Sequence, residues 1–557
     1  MDEKLKVFCK NTNTYIDVVP GISLLEIQEQ MNFKMPYLIS SVKVNNKTES
    51  LHYQIYRPKT IEFVDISESS GMRCYVRSLC FILAKAVYDV YPKGQIHIKY
   101  PISKGYYITI SGEKKQDLKN ISILNIKNRM WELINQNIPF KPLENETDHV
   151  VELFREQGFE DKALLLETSS LLYSMFYRLE NYEDYFYGAL VPYSGYITLF
   201  DIEPFHDGFL LRIPNREHPV DLEPVIDQTK MFNAYKEQKT FQGIIGLNNV
   251  GDLNKANKEG RMSEIIKVSE ALQERSIAEY ANKIKERYSE GVRVVFIAGP
   301  SSSGKTTFRK RLEVQLMTHL LKPVGLSLDD YFVDREMTPL DENGEYDFES
   351  LYALDLNLFN SDLKKLLNGE EIALPTFNFT TGKKEYRGNT LHVDDNTILL
   401  IEGIHGLNPD LTPQIDLSKK FLIYVSALTA ISLDNHNWIP TTDNRLLRRL
   451  VRDYKYRSYS AIDTLSRWKS VRKGEEKWIF PFQENADIMF NSAMIYELAS
   501  LKKYAEPILK EVPQKAGEYA EANRLLKFLG YFNEINDREL PPTSLLREFL
   551  GGSSFKY

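Results

Sequence analysis

The chain has 557 residues, of which 43% are apolar and 26% are charged, and its net charge is −7. The length predicts three or four domains, and the negative charge argues against a protein that coats nucleic acid, although local basic sites stay open. No apolar run approaches a membrane span, and residues 1–8 lack a signal-peptide core. We therefore expect a cytoplasmic protein that does not contact the membrane. The spacing of Cys9, Cys74 and Cys80 fits neither a disulfide framework nor a zinc site.

Residues 1–66 alternate apolar and polar side chains in the manner of a small mixed sheet. Ser23, with Glu26 three residues later, predicts a helix that begins with a capping box. The order is strand, strand, helix, strand, strand, with PGISLLEIQ opening the helix and VNNKTESL forming a hairpin. This segment resembles the TGS module, a β-grasp domain found at the N-terminus of threonyl-tRNA synthetases.

Residues 67–225 extend this resemblance to the second, α+β domain of the same synthetases. Residues 73–100 look like its opening helix and strand, and residues 190–202 resemble its closing strand pair. In that family, editing uses an HxxxH motif on the helix and a later Cys and His. The corresponding positions here are Phe81, Lys85, Phe186 and Leu190.

Aromatic and aliphatic side chains cannot bind a metal or relay protons, so this domain is expected to keep the fold without the editing chemistry. We favour a structural or regulatory role for residues 1–225. Binding of nucleotide or RNA is the alternative, but RNA is not expected because no basic stripe with interleaved aromatic residues stands out. Residues 226–290 then predict a helical connector, with a loop over 248–261 and a helix over 263–288.

A phosphate-binding loop begins the next segment. Six of the seven residues in Val292–Ala298 are apolar, which predicts a buried parallel strand. The strand leads into a complete GxxxxGK[ST] motif, whose small residues let backbone N–H groups turn toward phosphate oxygens. Lys305 would reach the β- and γ-phosphates of ATP, and the Thr306 hydroxyl would bind Mg²⁺. The predicted ATP-binding residues are Gly299, Pro300, Ser301, Ser302, Ser303, Gly304, Lys305, Thr306 and Thr307.

A second strand ends in the acidic sequence Ser327-Leu328-Asp329-Asp330-Tyr331-Phe332. Carboxylates at the carboxyl edge of a parallel strand point into the crevice where such sheets bind ligands. The sequence resembles the S-x-D-x-[FY]-[FY] pattern of the uridine kinase and phosphoribulokinase family. That resemblance makes Asp329 the candidate base that takes the proton of the attacking hydroxyl. The alternative is that Asp329 or its neighbour Asp330 caps the following turn.

The residues that would bind the phosphoryl acceptor, here called the acceptor side, are predicted from the same resemblance. The sequence YDFE at residues 346–349 resembles the family's YDFD motif, so Asp347 is the candidate for sugar recognition, or else a turn residue. Phe377 and Phe379 share one face of an extended segment, where they would stack on a base or pack into the core. Uridine and cytidine kinases have a His where this chain has Gly382, so pyrimidine specificity does not carry over. The predicted substrate-binding residues are Asp347, Tyr331, Phe377 and Phe379.

The remaining motifs complete a kinase site. The strand TILLI at residues 397–401 leads to Glu402-Gly403, which resembles the family's IxEG site, a Walker-B-like motif. Glu402 would hold Mg²⁺, with Thr306, either directly or through water. Residues 441–457 carry Arg445, Arg448, Arg449 and Arg452 on one helical stripe, a costly spacing for like charges unless a polyanion lies among them. The stripe resembles the family's lid, which would make Arg449, Arg452 and Arg457 a catalytic clamp on ATP phosphates; a solvated basic helix is the alternative.

The sequence therefore predicts an α/β P-loop kinase domain with a parallel sheet, preceded by a β-grasp domain and an α+β domain. Residues 482–488 resemble the family's closing strand, and the C-terminal tail carries no recognisable chemistry. The expected function is transfer of a phosphoryl group from ATP, with Mg²⁺, to a nucleoside or another small sugar-containing acceptor, with Lys305 and Asp329 as catalytic residues. We also expect a homo-oligomer. The predicted domains are 1–66, 67–225, 226–290, 291–500 and 501–557.

Two alternatives stay open at this stage. A phosphoribulokinase-like enzyme would need extra cations for a second phosphate, and Lys383, Lys384 and Arg387 are the cluster that would serve. The second alternative is a regulator that is switched by nucleotide and binds RNA or the ribosome through its N-terminal domains. Asp329, Asp347 and Glu402 favour chemistry, because a pure switch needs no base on the acceptor side.

Overall fold

The computed structural model describes residues 4–112, 122–342 and 344–556. The first part is a mixed sheet of order β2-β1-β7-β4-β5, in which β1 and β7 are parallel, with helix α1 beside it. Ser23 caps α1 and forms the predicted capping box with Glu26. The elements are Leu5–Cys9 (β1), Thr14–Val18 (β2), Ile22–Ser23 (β3), Leu24–Gln30 (α1), Ile39–Val44 (β4), Lys47–Glu49 (β5), Gln54–Ile55 (β6) and Thr60–Asp65 (β7).

The second part packs helices against a four-stranded sheet of order β13-β14-β9-β8 and adds a three-stranded sheet, β10-β11-β12. The strand pair expected within 190–202 is displaced, since regular pairing begins at Asp201. The elements are Ser69–Val90 (α2), Gln95–Ile102 (β8), Gly105–Ser111 (β9), Ile123–Asn135 (α3), Lys141–Glu146 (β10), Thr147–Glu156 (α4), Glu160–Glu167 (α5), Tyr173–Leu179 (β11), Tyr182–Asp184 (β12), Asp201–Phe205 (β13) and Gly208–Arg212 (β14).

Three helices follow: Thr229–Ile245 (α6), Val250–Lys258 (α7) and Met262–Ser289 (α8). The loop predicted over 248–261 is wrong, because Asn249 and Asp252 form a capping box that begins α7. Helix α8 packs on the helix after the phosphate-binding loop, where Arg311 donates to Glu274 at 2.7 Å. The predicted connector is therefore helical and packs directly on the helix that follows the phosphate-binding loop.

The predicted kinase part contains a five-stranded sheet of order β16-β19-β15-β20-β21, and every neighbouring pair is parallel, as predicted. The closing strand begins at Ile488, where the predicted segment 482–488 ends, because residues 480–485 form a 3₁₀ helix. The elements are Val294–Ala298 (β15), Lys305–Thr318 (α9), Lys322–Ser327 (β16), Leu356–Leu367 (α10), Ile372–Asn378 (β17), Lys383–Leu391 (β18), Thr397–Glu402 (β19), Lys420–Ser426 (β20), Thr441–Arg457 (α11), Ala461–Trp478 (α12) and Ile488–Asn491 (β21).

The C-terminal segment contains helices Glu497–Lys510 (α13), Tyr519–Leu529 (α14) and Arg547–Leu550 (α15). Their apolar side chains share one continuous core with β15, α9 and α11 and with α4, α5, α7 and α8 of the preceding parts. Among the described residues, no helix combines the length and apolar character needed to cross a bilayer. The five-stranded sheet is thus packed against helices that precede it in the chain and helices that follow it.

Candidate active site

The phosphate-binding loop leaves the carboxyl end of β15 and enters α9. Gly304 has a φ of 84°, in the left-handed region, and a Cβ there would lie 2.5 Å from the Leu545 side chain. The Lys305 ammonium donates to the carbonyl oxygens of Gly299 at 2.8 Å and Pro300 at 3.2 Å. Burial lowers the pKa of Lys305, while the charges of Asp329 and Glu402 oppose that shift. The amine therefore lies across the loop, close enough to Asp329 and Glu402 to feel the charge of both acids.

Thr306 and Glu402 meet at the edge of the sheet. The Thr306 hydroxyl donates to Oε1 of Glu402 at 3.3 Å. The other carboxylate oxygen is buried and accepts no hydrogen bond from the described residues, although Nε of Arg309 lies 3.5 Å away. Burial raises the pKa of Glu402. A hydroxyl beside a buried carboxylate with a free oxygen suits Mg²⁺, which prefers hard oxygen ligands.

Asp329 and Asp330 differ in what engages them. The Asp329 side chain is open to solvent, and none of the described residues donates a hydrogen bond to its carboxylate. Crowding by protein atoms raises the pKa of Asp329, against the opposing charges of Lys305, Arg457 and Arg452. Asp330 instead accepts the backbone N–H of Phe377 at 3.3 Å. Asp329 is therefore the carboxylate that is available to a substrate.

Three arginines of α11 gather around one buried acid, Asp453. Arg449 and Arg452 lie 3.2 Å and 3.0 Å from its oxygens, and Arg457 lies 3.6 Å away. Arg449 also donates to the hydroxyl of Ser301 in the loop at 2.8 Å. This grouping brings three positive charges to the side of the loop where Lys305 and Asp329 lie.

The other two arginines of the predicted stripe have structural partners. Arg445 forms a buried bidentate pair with Glu475 and donates to the Ser301 carbonyl at 3.1 Å. Arg448 pairs with Glu497 at 2.7 Å through each of two nitrogens and reaches the Ser302 carbonyl at 3.4 Å. Both arginines therefore support the backbone of the phosphate-binding loop, and the four arginines of the predicted stripe do not act together as one clamp on phosphate.

The acceptor side holds an aromatic cluster. The rings of Phe377 and Phe379 are 5.2 Å apart, and Phe332, which the motif analysis did not single out as a contact, lies 5.5 Å from Phe377. The Phe379 side chain is 61% exposed, which leaves a ring face for stacking. Asp347 accepts the Glu349 backbone N–H at 3.2 Å, as a turn residue does, and the Trp478 indole N–H at 3.4 Å.

The structure bears on two further positions of the predicted acceptor site. Tyr331 was expected to bind substrate, but its ring is buried against Phe359 and its hydroxyl donates to Asp362 at 3.3 Å. It faces the core and is not carried into the acceptor site. Gly382 has a φ of 71°, and a Cβ there would lie 2.8 Å from the Arg335 side chain. Backbone geometry and the packing of Arg335 therefore favour glycine at this position over a base-reading side chain.

Two acids near the loop, Glu475 and Glu548, were missed by sequence reasoning, and a third, Glu349, was given no role. Glu475 accepts the Ser301 N–H at 3.2 Å, and Glu548, in the C-terminal helix α15, accepts the Thr307 hydroxyl at 2.6 Å. Burial and the nearby charge of Glu475 raise the pKa of Glu349 to about 7. The sequence YDFE did flag the position of Glu349, whereas no local pattern marks the other two.

Comparisons with known proteins concern the kinase part. Residues 294–498 match the sequence profile of the Phosphoribulokinase / Uridine kinase family. Uridine kinase of Staphylococcus epidermidis is 30% identical over 200 residues, which are 35% of this chain and 86% of that protein. Uridine kinase of Staphylococcus haemolyticus is 29% identical over 198 residues, with the same coverage.

Solved structures show matches of similar extent. A structure described as a possible uridine kinase from Bacillus stearothermophilus is 22% identical, covers 36% of this chain and 89% of its own, and has a TM-score of 0.25. D-glycerate 3-kinase from Cryptococcus neoformans is 13% identical, covers 46% of this chain and 87% of its own, and has a TM-score of 0.22.

Proposed function

The chain belongs to the phosphoribulokinase/uridine kinase family, and from that membership we propose that it transfers the γ-phosphoryl group of ATP to a hydroxyl of a small sugar-containing acceptor. The 5′-hydroxyl of a nucleoside is the first choice. The observation that carries the proposal is the Asp329 carboxylate, which has no hydrogen-bond donor among the described residues and stands within the field of Lys305, Arg452 and Arg457. A switch would not need such a group.

The proposed division of labour follows from the geometry. Backbone N–H groups of the loop and Lys305 would bind the β- and γ-phosphates, and Thr306 and Glu402 would hold Mg²⁺, which offsets phosphate charge when bound. Arg449, Arg452 and Arg457 would stabilise the negative charge of the transferring group. Asp329 would orient the acceptor hydroxyl and take its proton as the new P–O bond forms.

For the acceptor, we propose a nucleoside or similar sugar whose ring stacks on Phe377 and Phe379, with Asp347 near its hydroxyls. A phosphoribulokinase-like acceptor is less well supported, because two of the three cations it would need have acidic partners. Lys384 pairs with Asp355 at 2.7 Å, and Arg387 lies 3.3 Å from Glu385. A second phosphate would have to break these pairs.

For the N-terminal half, we propose that residues 1–66 form a TGS-like β-grasp domain and residues 67–225 a synthetase-like domain without editing chemistry. The mixed sheet with one helix supports the first interpretation. Buried Phe81, whose ring centre lies 5.5 Å from that of Phe186, supports the second, since both side chains fill the core. Residues 226–290, 291–500 and 501–557 are kept as connector, kinase domain and tail. A homo-oligomeric state and a cytoplasmic location stay predictions.

An acceptor screen tests the proposed function. ATP consumption is measured with the full-length protein and Mg²⁺ across nucleosides, pentoses and sugar phosphates. Lys305→Ala protein, purified in parallel, reports any contaminating kinase, since it lacks the loop ammonium. We expect acceptor-dependent turnover with at least one nucleoside or sugar that disappears in Lys305→Ala. Consumption that does not depend on any acceptor would contradict the proposal and favour a nucleotide-driven switch.

A further inference from the structure

A polar cavity of about 440 Å³ lies where the second part of the chain, the connector helices and the kinase part meet. Lys99 of β8, Lys239 of α6, Asp161 of α5 and Asp252 of α7 line it, together with Asn435 from the loop between β20 and α11. The lining contains no residue of the phosphate-binding loop and neither Asp329 nor Glu402. Its size is that of sites for small metabolites.

The wall contains three acids, Glu160, Asp161 and Asp252, and each has a partner in the protein. The exposed carboxylate of Glu160 lies 3.6 Å from Nε of Arg155. Asp252 accepts the backbone N–H groups of Asn248 at 2.9 Å and Asn249 at 3.0 Å. Asp161 accepts the N–H of Asn435 at 2.7 Å. These carboxylates hold the wall together, so they are poor counter-ions for groups across the cavity.

The two lysines have no comparable partners. Within residues 4–112, 122–342 and 344–556, no carboxylate forms an ion pair with Lys99 or Lys239, and both side chains are half-buried. Burial and the charge of Lys99 lower the pKa of Lys239 to about 7, against the opposing charge of Asp252. Two lysines that line one polar cavity disfavour each other's charged form, and a bound anion would offset that repulsion.

We propose that this cavity binds a small hydroxylated organic anion, with its phosphate or carboxylate group between Lys99 and Lys239. Asn248 and Asn435 line the same space, and their amide groups can donate hydrogen bonds to hydroxyl groups and accept them. The site is separate from the kinase crevice and does not depend on the reaction proposed for it.

The position of the cavity suits a regulatory ligand. Helix α6 carries Lys239 into the cavity and, one turn earlier, Tyr235, whose hydroxyl lies 3.0 Å from Oγ1 of Thr441 at the start of α11. The cavity wall at Ser432 and Asn435 is part of the loop that leads into the same helix. An anion that fixes Lys239 would therefore be bound one helical turn from the base of the arginine-bearing helix.

The test is calorimetric titration of full-length Lys305→Ala protein, in which anion binding at the phosphate-binding loop is weakened. Glycerol 3-phosphate is the phosphate probe, and malate is the carboxylate probe. We expect at least one of them to bind with a Kd of roughly 1 mM or below, and the arm that binds identifies the anionic group. No binding of either probe at roughly 20 mM would overturn the proposal.

Variants locate the binding. Lys99→Gln and Lys239→Gln should each weaken it by about tenfold or more, as the loss of one charged contact predicts. Lys236→Gln is the matched control, because Lys236 lies one turn earlier on α6 and pairs with Asp207 at 2.9 Å outside the cavity. An equal loss in Lys236→Gln, or no loss in the two cavity variants, would overturn the assignment. Both cavity variants remove a repelling charge, so unfolding should not be the cause of lost binding.

Discussion

The two halves of helix α11 carry the same residue type in opposite situations. In the first half, Arg445 and Arg448 are buried, and each has a carboxylate partner of its own, Glu475 and Glu497. In the second half, Arg449, Arg452 and Arg457 share Asp453, and Arg457 keeps half of its side chain exposed. Three cations on one anion leave positive charge over, and that charge faces Asp329 and Lys305. The arginines of the first half therefore stabilise the fold, whereas those of the second half can bind phosphate.

The largest expected effect concerns the first half. Arg448→Ala leaves Glu497 buried without its partner, so we expect unfolding free energy to fall by about 3–5 kcal/mol in chemical denaturation. Arg275→Ala is the control, because Arg275 forms an exposed pair with Glu279 at 3.4 Å, and it should cost less than about 1 kcal/mol. Similar losses in both variants would show that the two halves of α11 do not differ as described.

The next effect concerns the second half. Arg452→Ala leaves Asp453 with Arg449 and Arg457, so stability should change little. Turnover should fall by about 10²–10³-fold, as it does when one preorganised donor is removed from a developing negative charge. Steady-state rates with Lys469→Ala, an exposed lysine of α12, provide the charge-matched control. A stability loss as large as that of Arg448→Ala would assign Arg452 to the architecture instead.

Sequence reasoning identified the parts of the site that lie within short motifs. The phosphate-binding loop, the acids that follow β16, the acid that ends β19 and the parallel sheet could be predicted, because each follows from a local pattern. The division of the arginine stripe was not, because it depends on Glu475 and Glu497 from other helices. Glu548 meets Thr307 across 241 residues of chain. No local spacing reports such a contact, and Tyr331 was misjudged because its burial depends on Phe359 and Asp362.

A smaller effect concerns Glu349, an acid whose charge acts on Arg449 and Lys305. Its pKa of about 7 means that the carboxyl is neutral below pH 7 and negative above it. Ionisation places a negative charge near Lys305 and Arg449, so the Kd for a nonhydrolysable Mg²⁺–ATP analogue should rise by about three- to tenfold between pH 6 and 8.5. Glu349→Gln should flatten this profile in a fluorescence titration. An unchanged slope in the variant would assign the titration to another group.

The smallest effect concerns Glu548, which, like Arg445 and Arg448, supports the phosphate-binding loop from within the fold. Glu548→Gln keeps the shape of the side chain but weakens a charge-assisted hydrogen bond to Thr307, so kcat/KM for ATP should fall by about fivefold. Glu539→Gln is the control, because Glu539 is an exposed acid of the 3₁₀ turn at residues 537–539, and it should leave kcat/KM unchanged. An equal response of the two variants would show that Glu548 does not support the phosphate-binding loop.

Asp329→Asn and Asp330→Asn, compared side by side, test whether Asp329 is the base, with acceptor-dependent ATP turnover and ATP-analogue affinity measured for both. We expect Asp329→Asn to lose turnover by about a hundredfold or more while its affinity for the analogue is kept. Asp330→Asn should lose far less, because its carboxylate is engaged by the backbone of Phe377. Unchanged turnover in Asp329→Asn would contradict the assignment of Asp329 as the base.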